Sequence, residues 1–152
     1  FNHINNIIFI ELSSKLGFLS DKNIDDFFYF FGGGLPGIKG YTFYESTLTG
    51  SGLMVNSLYI RKLILDNNYF NFRDFINFNK LSIGLIGQFG SVYNDRLSLY
   101  LNDFKFSSGL ELRAKGYLFY GYPAALTFEH HFAIGDSNET KGKSYIKLLF
   151  DF

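Results

Sequence analysis

The adjacent histidines His130 and His131 are the residues in this chain best suited to metal or acid–base chemistry. Neighbouring residues on a strand point to opposite faces, so the two rings cannot bind one metal ion from a regular strand. No spacing supports Glu129 or His3 as a further ligand. We therefore interpret both histidines as structural or interfacial, and we predict no resident metal or cofactor.

A catalytic nucleophile is not indicated by any spacing in the chain. The sequence contains no cysteine, which removes thiolate chemistry and disulfides. It has no G-x-S-x-G elbow, and no spacing pairs His131 with a particular serine. We therefore predict that the protein is not an enzyme.

The glycine-rich segment 32–37 also matches the G-x-G-x-x-G pattern of dinucleotide sites. Such a site requires a helix after the glycines. The next residues along the chain, Tyr41 to Tyr44, are instead β-prone. The glycines are better explained by unusual backbone conformations and close packing.

An acidic group, Asp21, Asp25 and Asp26, precedes the aromatic run 27–31. With Asn23 it has the oxygen ligands that Ca²⁺ prefers. A solvated loop tip is the alternative, and the sequence leaves both open.

Aromatic content is the unusual feature of the composition. The chain has 20 Phe and 11 Tyr but no Trp, and its net charge is zero. Membrane β-barrels carry girdles of aromatic residues, although an AT-rich coding sequence would also raise these counts. The balanced charge gives no basic stripe for nucleic acid. No apolar run approaches the roughly 18 residues that a membrane helix needs.

Alternating polarity predicts strands over most of the chain. The alternation is clearest where Leu110, Leu112 and Ala114 interleave with Glu111, Arg113 and Lys115. The six predicted strands are 5–17, 52–65, 81–91, 107–117, 123–134 and 144–152.

The predicted fold is all-β, an antiparallel transmembrane β-barrel. The strands are long for a soluble sandwich, where about five or six residues is typical. The inward faces carry charged or polar side chains that a small soluble barrel would have to bury, whereas a wide membrane barrel keeps its lumen wet. These inner-wall residues are Arg61, Gln88, Glu111, Arg113 and Glu129.

The connections between predicted strands suggest an orientation. Segments 18–51, 92–106 and 135–143 are long, whereas 118–122 is a short aromatic turn. Outer-membrane barrels place long loops outside and short turns in the periplasm, which puts the C-terminus at the periplasmic rim. Segment 66–80 breaks this rule and is predicted to form a small helix or a hairpin. Six strands cannot close a barrel, so further strands are expected.

The glycine segment and several segments after it resemble a known family. The motif comprises Gly33, Gly34, Gly37, Ile38, Lys39, Gly40 and Tyr41. It resembles the lid-loop motif of the bacterial surface-antigen superfamily, which includes outer-membrane assembly factors and two-partner secretion transporters. Segment 84–93 and the turn 119–123 are similar to strands and turns of a branch in which a periplasmic β-propeller precedes the barrel. Tyr145, Phe150 and Phe152 resemble the terminal strand signal that the outer-membrane assembly machinery reads.

The resemblance implies a barrel of roughly sixteen strands, of which residues 1–152 would be the C-terminal part. Segment 18–51 would be the lid loop, folded into the lumen. The family's motif arginine pairs with inner-wall acids; here Lys39 replaces it, and Tyr59 and Gln88 occupy the acid positions. We therefore expect Lys39 to reach Glu111 or Glu129.

The function that the resemblance implies is protein assembly or translocation at the bacterial outer membrane. A structural anchor for a propeller or surface complex is the alternative, and a passive pore is the second. The expected partners are the lipid bilayer, the assembly machinery, N-terminal barrel strands with a periplasmic domain, and an envelope protein complex.

Overall fold

The computed structural model of the chain describes residues 7–20, 25–72, 76–94, 104–119, 121–135 and 142–150. The long strands are β1 (Ile8–Phe18), β4 (Gly52–Phe72), β5 (Ile76–Tyr93), β6 (Lys105–Leu118), β7 (Tyr122–Ile134) and β8 (Lys143–Phe150). They form one antiparallel six-stranded sheet in the order β1-β4-β5-β6-β7-β8. Two short strands, β2 (Phe30–Phe31) and β3 (Thr49–Gly50), pair separately. The all-β prediction is therefore confirmed, together with an antiparallel sheet built from the six predicted segments.

The prediction for segment 66–80 is settled in favour of a hairpin, and the small-helix alternative is wrong. β4 runs on to Phe72 and β5 begins at Ile76, so the two strands continue far past their predicted ends. The two strands stay paired although their register shifts between Leu63 and Leu65 and again between Asp66 and Phe70. β-Bulges at these two places accommodate the extra residues. Within the described ranges, no helix is both long enough and apolar enough to cross a membrane.

One face of the sheet, here called the apolar face, is made of exposed hydrophobic side chains. On β4 to β8 their exposed fractions run from 37 % at Leu58 to 74 % at Ile146. The face includes Leu58, Ile60, Ile83, Leu85, Leu110, Leu112, Leu126, Phe128, Phe132, Ile146 and Leu148. No described part of the chain covers these side chains.

The opposite face, here called the polar face, is largely buried although its side chains are polar or charged. Arg61 is 8 % exposed, and Glu129 is 0 % exposed. The other buried polar members are Ser57, Ser82, Gln88, Ser107, Glu111, Thr127 and His131. Because charged residues are almost never fully buried unless paired, these side chains require partners on the same face.

The loop between β1 and β4, residues 19–51, contributes a segment that covers part of the polar face. Its Ile38, Tyr41 and Leu48 form a small hydrophobic cluster with Val55 of β4. Phe18, the last residue of β1, pairs with Gly52, the first residue of β4. The loop therefore begins and ends at the same end of these two strands. The fold therefore holds the glycine motif against the polar side chains of β4 to β8.

Candidate functional site

The motif segment, residues 33–41, is the deepest part of the loop. Its backbone doubles back, with Ile38 N–H donating to the Gly32 carbonyl at 2.7 Å. A Cβ at Gly37 would lie 2.1 Å from that same carbonyl oxygen, so only glycine fits there. Gly40 adopts a φ of +97°, and a Cβ there would lie 3.0 Å from the Ala133 nitrogen of β7. The glycines therefore allow the loop to lie directly on the sheet.

Lys39 is 4 % exposed and points onto the polar face. Its ammonium forms an ion pair with Glu129 of β7, and its Nζ lies 3.5 Å from the Tyr59 hydroxyl. Its backbone N–H donates to Gln88 Oε1 at 3.0 Å. Of the two carboxylates expected to receive Lys39, the structure therefore pairs it with Glu129.

The residues that come directly after the motif lysine also bond to the sheet. Gly40 N–H donates to the Tyr145 hydroxyl of β8 at 3.1 Å. The Tyr41 hydroxyl lies 3.0 Å from the Phe106 carbonyl and 3.2 Å from the Ile134 carbonyl. The motif segment is thus held by β5, β6, β7 and β8 together.

Glu129 is the centre of the first charge cluster. Its carboxylate contacts Lys39 on one oxygen and Lys147 of β8 on the other. His131, also on β7 and 0 % exposed, places Nε2 3.1 Å from the same carboxylate. Because an unpaired buried carboxylate is costly, these partners explain how Glu129 can be buried.

Arg61 of β4 is the centre of the second cluster. Its Nε donates to Glu111 Oε2 at 2.6 Å, and its other side contacts Glu11 of β1. The guanidinium also lies 4.6 Å from the centre of the Tyr59 ring, and Lys39 Nζ lies 5.6 Å from it. Tyr59 therefore links the two clusters through contacts with both cations.

Register explains why these side chains meet. Arg61, Gly84, Glu111 and Glu129 are successive cross-strand partners on β4, β5, β6 and β7. A Cβ at Gly84 would lie 3.1 Å from both Arg61 Cγ and Glu111 Oε2. The glycine therefore leaves the space through which Arg61 and Glu111 meet across β5.

The two clusters together form what we call the ion network. It comprises three carboxylates and three cations, namely Glu11, Glu111, Glu129, Lys39, Arg61 and Lys147. Glu111 and Glu129 lie directly opposite each other, an arrangement that repels unless each is compensated. Arg61 compensates the first and the two lysines compensate the second, so the network is balanced.

Several other predicted site residues lie outside the ion network. Arg113 lies on the polar face, in register with Ser82 and Thr127, and its carbonyl accepts from the Ser82 hydroxyl. Tyr145, expected as part of a terminal signal, bonds to the motif segment, while Phe150 lies at the exposed end of β8. Phe152 lies outside the described residues.

The structure tests the placement of the histidines, whereas Asp21 and Asn23 of the calcium hypothesis lie outside the described residues. His131 is on the polar face, whereas His130 faces the other way, 2.8 Å from Ser144 Oγ and edge-on to Phe132. The predicted opposite placement is therefore confirmed. Asp25 Oδ1 accepts from Phe27 N–H and so closes a short helical turn. Across the described ranges, no three acidic, histidine or cysteine side chains gather in a way that could hold a metal ion.

Sequence reasoning did not include Glu11 and Lys147 among the site residues, and it named Tyr59 only as the residue at one of the family's acid positions. Each is predicted to face inward, but alternation gives only the face of a residue and not its neighbours. Register supplies the neighbours, and the pattern along one strand does not contain it.

No protein-family model, no curated protein and no solved structure matches this chain significantly.

Proposed function

We propose that this chain forms part of the wall of a bacterial outer-membrane β-barrel of the assembly or translocation type, with the loop inside the lumen. The observation that carries the proposal is the reversed polarity of the sheet: its exposed face is hydrophobic, and Arg61, Glu111 and Glu129 on the opposite face are buried. Lipid would cover the apolar face, and the lumen would hold the polar face and its loop.

The edges of the sheet support a larger barrel. Within the described chain, β1 and β8 each pair on one side only. In lipid, each unpaired backbone group costs several kcal/mol. We therefore propose that further strands, from the same protein or from partner chains, pair with these two edges.

The loop favours an assembly or translocation barrel over a passive pore. Four strands bond to the motif segment, and the buried Lys39–Glu129 pair fixes it on the polar face. This arrangement is the one that the resemblance to the surface-antigen superfamily implies, including its branch with a periplasmic β-propeller. In this proposal the loop braces the lumen and couples it to a periplasmic domain.

A structural anchor is the second candidate. The charges of the ion network balance within the described residues, and such a fully paired network favours one rigid arrangement of loop and wall. A scaffold for a periplasmic propeller or a surface complex would use that rigidity without moving the loop.

Conductance of the intact protein in planar bilayers tests these functions. We expect small, rare openings for the natural protein, and larger and more frequent openings for Lys39→Gln, because that change removes the buried contact of the loop. Lys15→Gln is the control, since Lys15 bonds the Pro36 carbonyl of the same loop at an exposed position.

Other conductance results would favour one of the alternative functions or contradict the proposal. Large, steady conductance in the natural protein would favour the passive pore. A closed barrel in both proteins would favour the anchor. Failure to insert into the bilayer would contradict the membrane proposal itself.

A further inference from the structure

The polar face contains a cavity that the loop does not fill. Its volume is about 470 Å³, within the range of roughly 300–1,000 Å³ that small-molecule sites occupy. We call it the basal cavity, and its principal walls are Ile7, Phe9, Leu63, Lys80, Arg113 and Lys115. Arg61 and Glu11 of the ion network form its boundary towards the loop.

One wall of the basal cavity is cationic. Lys80 of β5 and Lys115 of β6 are direct cross-strand partners, an arrangement of like charges that is unfavourable by itself. The carboxylates on the lining are Glu11, which contacts Arg61, and Asp66, whose Oδ1 is 3.8 Å from Lys80 Nζ. The lining as a whole carries four cationic side chains, Arg61, Lys80, Arg113 and Lys115, against these two carboxylates.

Arg113 gives independent evidence that the cavity suits an anion. Its side chain is half-buried, and its Nε is buried without a hydrogen-bond partner among the described residues. None of the carboxylates in the described ranges forms an ion pair with it. A buried guanidinium donor without an acceptor is costly, and the oxygens of a carboxylate or a phosphate match the guanidinium fork best.

A second wall of the basal cavity is apolar, although it lies on the same side of the sheet as the polar side chains. Phe9 is 52 % exposed and Ile7 is 38 % exposed, while Leu63 beside them is 6 % exposed. Such surface gains stability when an apolar group covers it. The cavity thus offers a cationic contact and an apolar contact to the same occupant.

We infer that the basal cavity binds a small amphipathic anion, with a phosphate or carboxylate headgroup against Arg113 and a short apolar chain against Phe9 and Leu63. The inference does not depend on the membrane proposal, because the cavity lies on the polar face in either setting.

Calorimetric titration of the intact protein in amphipol, which avoids detergent micelles, tests this site. Hexyl phosphate is the probe, and inorganic phosphate and hexanol supply its two halves separately. We expect saturable binding of hexyl phosphate and much weaker binding of either half. Arg113→Gln should weaken binding roughly tenfold or more, because a hydrogen bond to a charged group is lost, and Arg113→Lys should weaken it less.

Lys62→Gln is the matched control. Lys62 lies on β4 beside the cavity residue Leu63 but on the apolar face, between Ile60 and Ile64, so its loss should leave binding unchanged. Absence of saturable binding would overturn the inference, and so would unchanged binding by Arg113→Gln. Equal binding of inorganic phosphate would show a simple anion site, and equal binding of hexanol would show that charge plays no part; either result overturns the amphipathic assignment.

Discussion

Lys39 and Glu129 are the two residues on which the placement of the loop depends. Both are buried, with side chains 6 % and 1 % exposed. A buried ion pair contributes little net stability compared with apolar residues, but losing one partner leaves a buried charge uncompensated. The pair therefore specifies where the loop lies more than it stabilises the sheet.

A double-mutant cycle measures this coupling directly. Lys39→Met and Glu129→Gln should each destabilise the intact protein, and the double variant should be less destabilised than the sum, with a coupling of about 1–3 kcal/mol. Reversible unfolding by urea in lipid vesicles gives the free energies. Lys62→Met removes an exposed lysine of the apolar face and serves as the control. Additive effects of the two changes would show that the pair is not formed.

Sequence alone narrowed the partner of Lys39 to Glu111 or Glu129 but could not choose between them. Both acids lie inward by alternation, and they are direct cross-strand partners. The choice depends on Arg61, which reaches Glu111 across Gly84 and leaves Glu129 to the lysines. That information comes from register across three strands, which a pattern along one strand does not contain.

At the scale of the strands, β5 shows how small residues permit long-range contacts. Gly84 and Gly87 are three residues apart on opposite faces of this strand. A Cβ at Gly84 would meet Arg61 and Glu111, whereas a Cβ at Gly87 would meet nothing within 4 Å. Only the first glycine is therefore required by packing.

Alanine substitution at the two positions tests that distinction. Gly84→Ala should destabilise the protein by about 1–3 kcal/mol, because the new methyl group crowds Arg61 and Glu111 and forces both to shift. Gly87→Ala should be neutral or slightly stabilising, since glycine within a strand costs roughly 0.5–1 kcal/mol relative to alanine. Equal effects in urea unfolding would contradict the proposed role of Gly84.

The strands themselves were largely predictable, since alternation of polarity identified all six and assigned their faces. The ends of β4 and β5 were not, because Asp66 and the asparagines after it resemble loop residues. Bulges allow these residues to remain paired, and such irregularities leave no sequence signal that could have been read beforehand.

For the whole molecule, the reversed polarity of the sheet is the feature that any proposed function must explain. Exposed leucine, isoleucine and phenylalanine side chains cover one face, and a balanced ion network with a bound loop occupies the other. A lipid environment explains both faces at once. A water-soluble domain would need a separate partner over its apolar face.

Spin labels placed on the two faces test the membrane proposal most directly, and the absence of cysteine makes single labels simple to introduce. Leu112→Cys puts a label on the apolar face of β6, and Lys115→Cys puts one on its polar face. With the intact protein in lipid vesicles, we predict that the Leu112 label is accessible to oxygen but not to a water-soluble nickel complex. The Lys115 label should show the reverse. Access of the nickel complex to both labels, or shielding of the Leu112 label from oxygen by a covering protein, would contradict a lipid-facing wall.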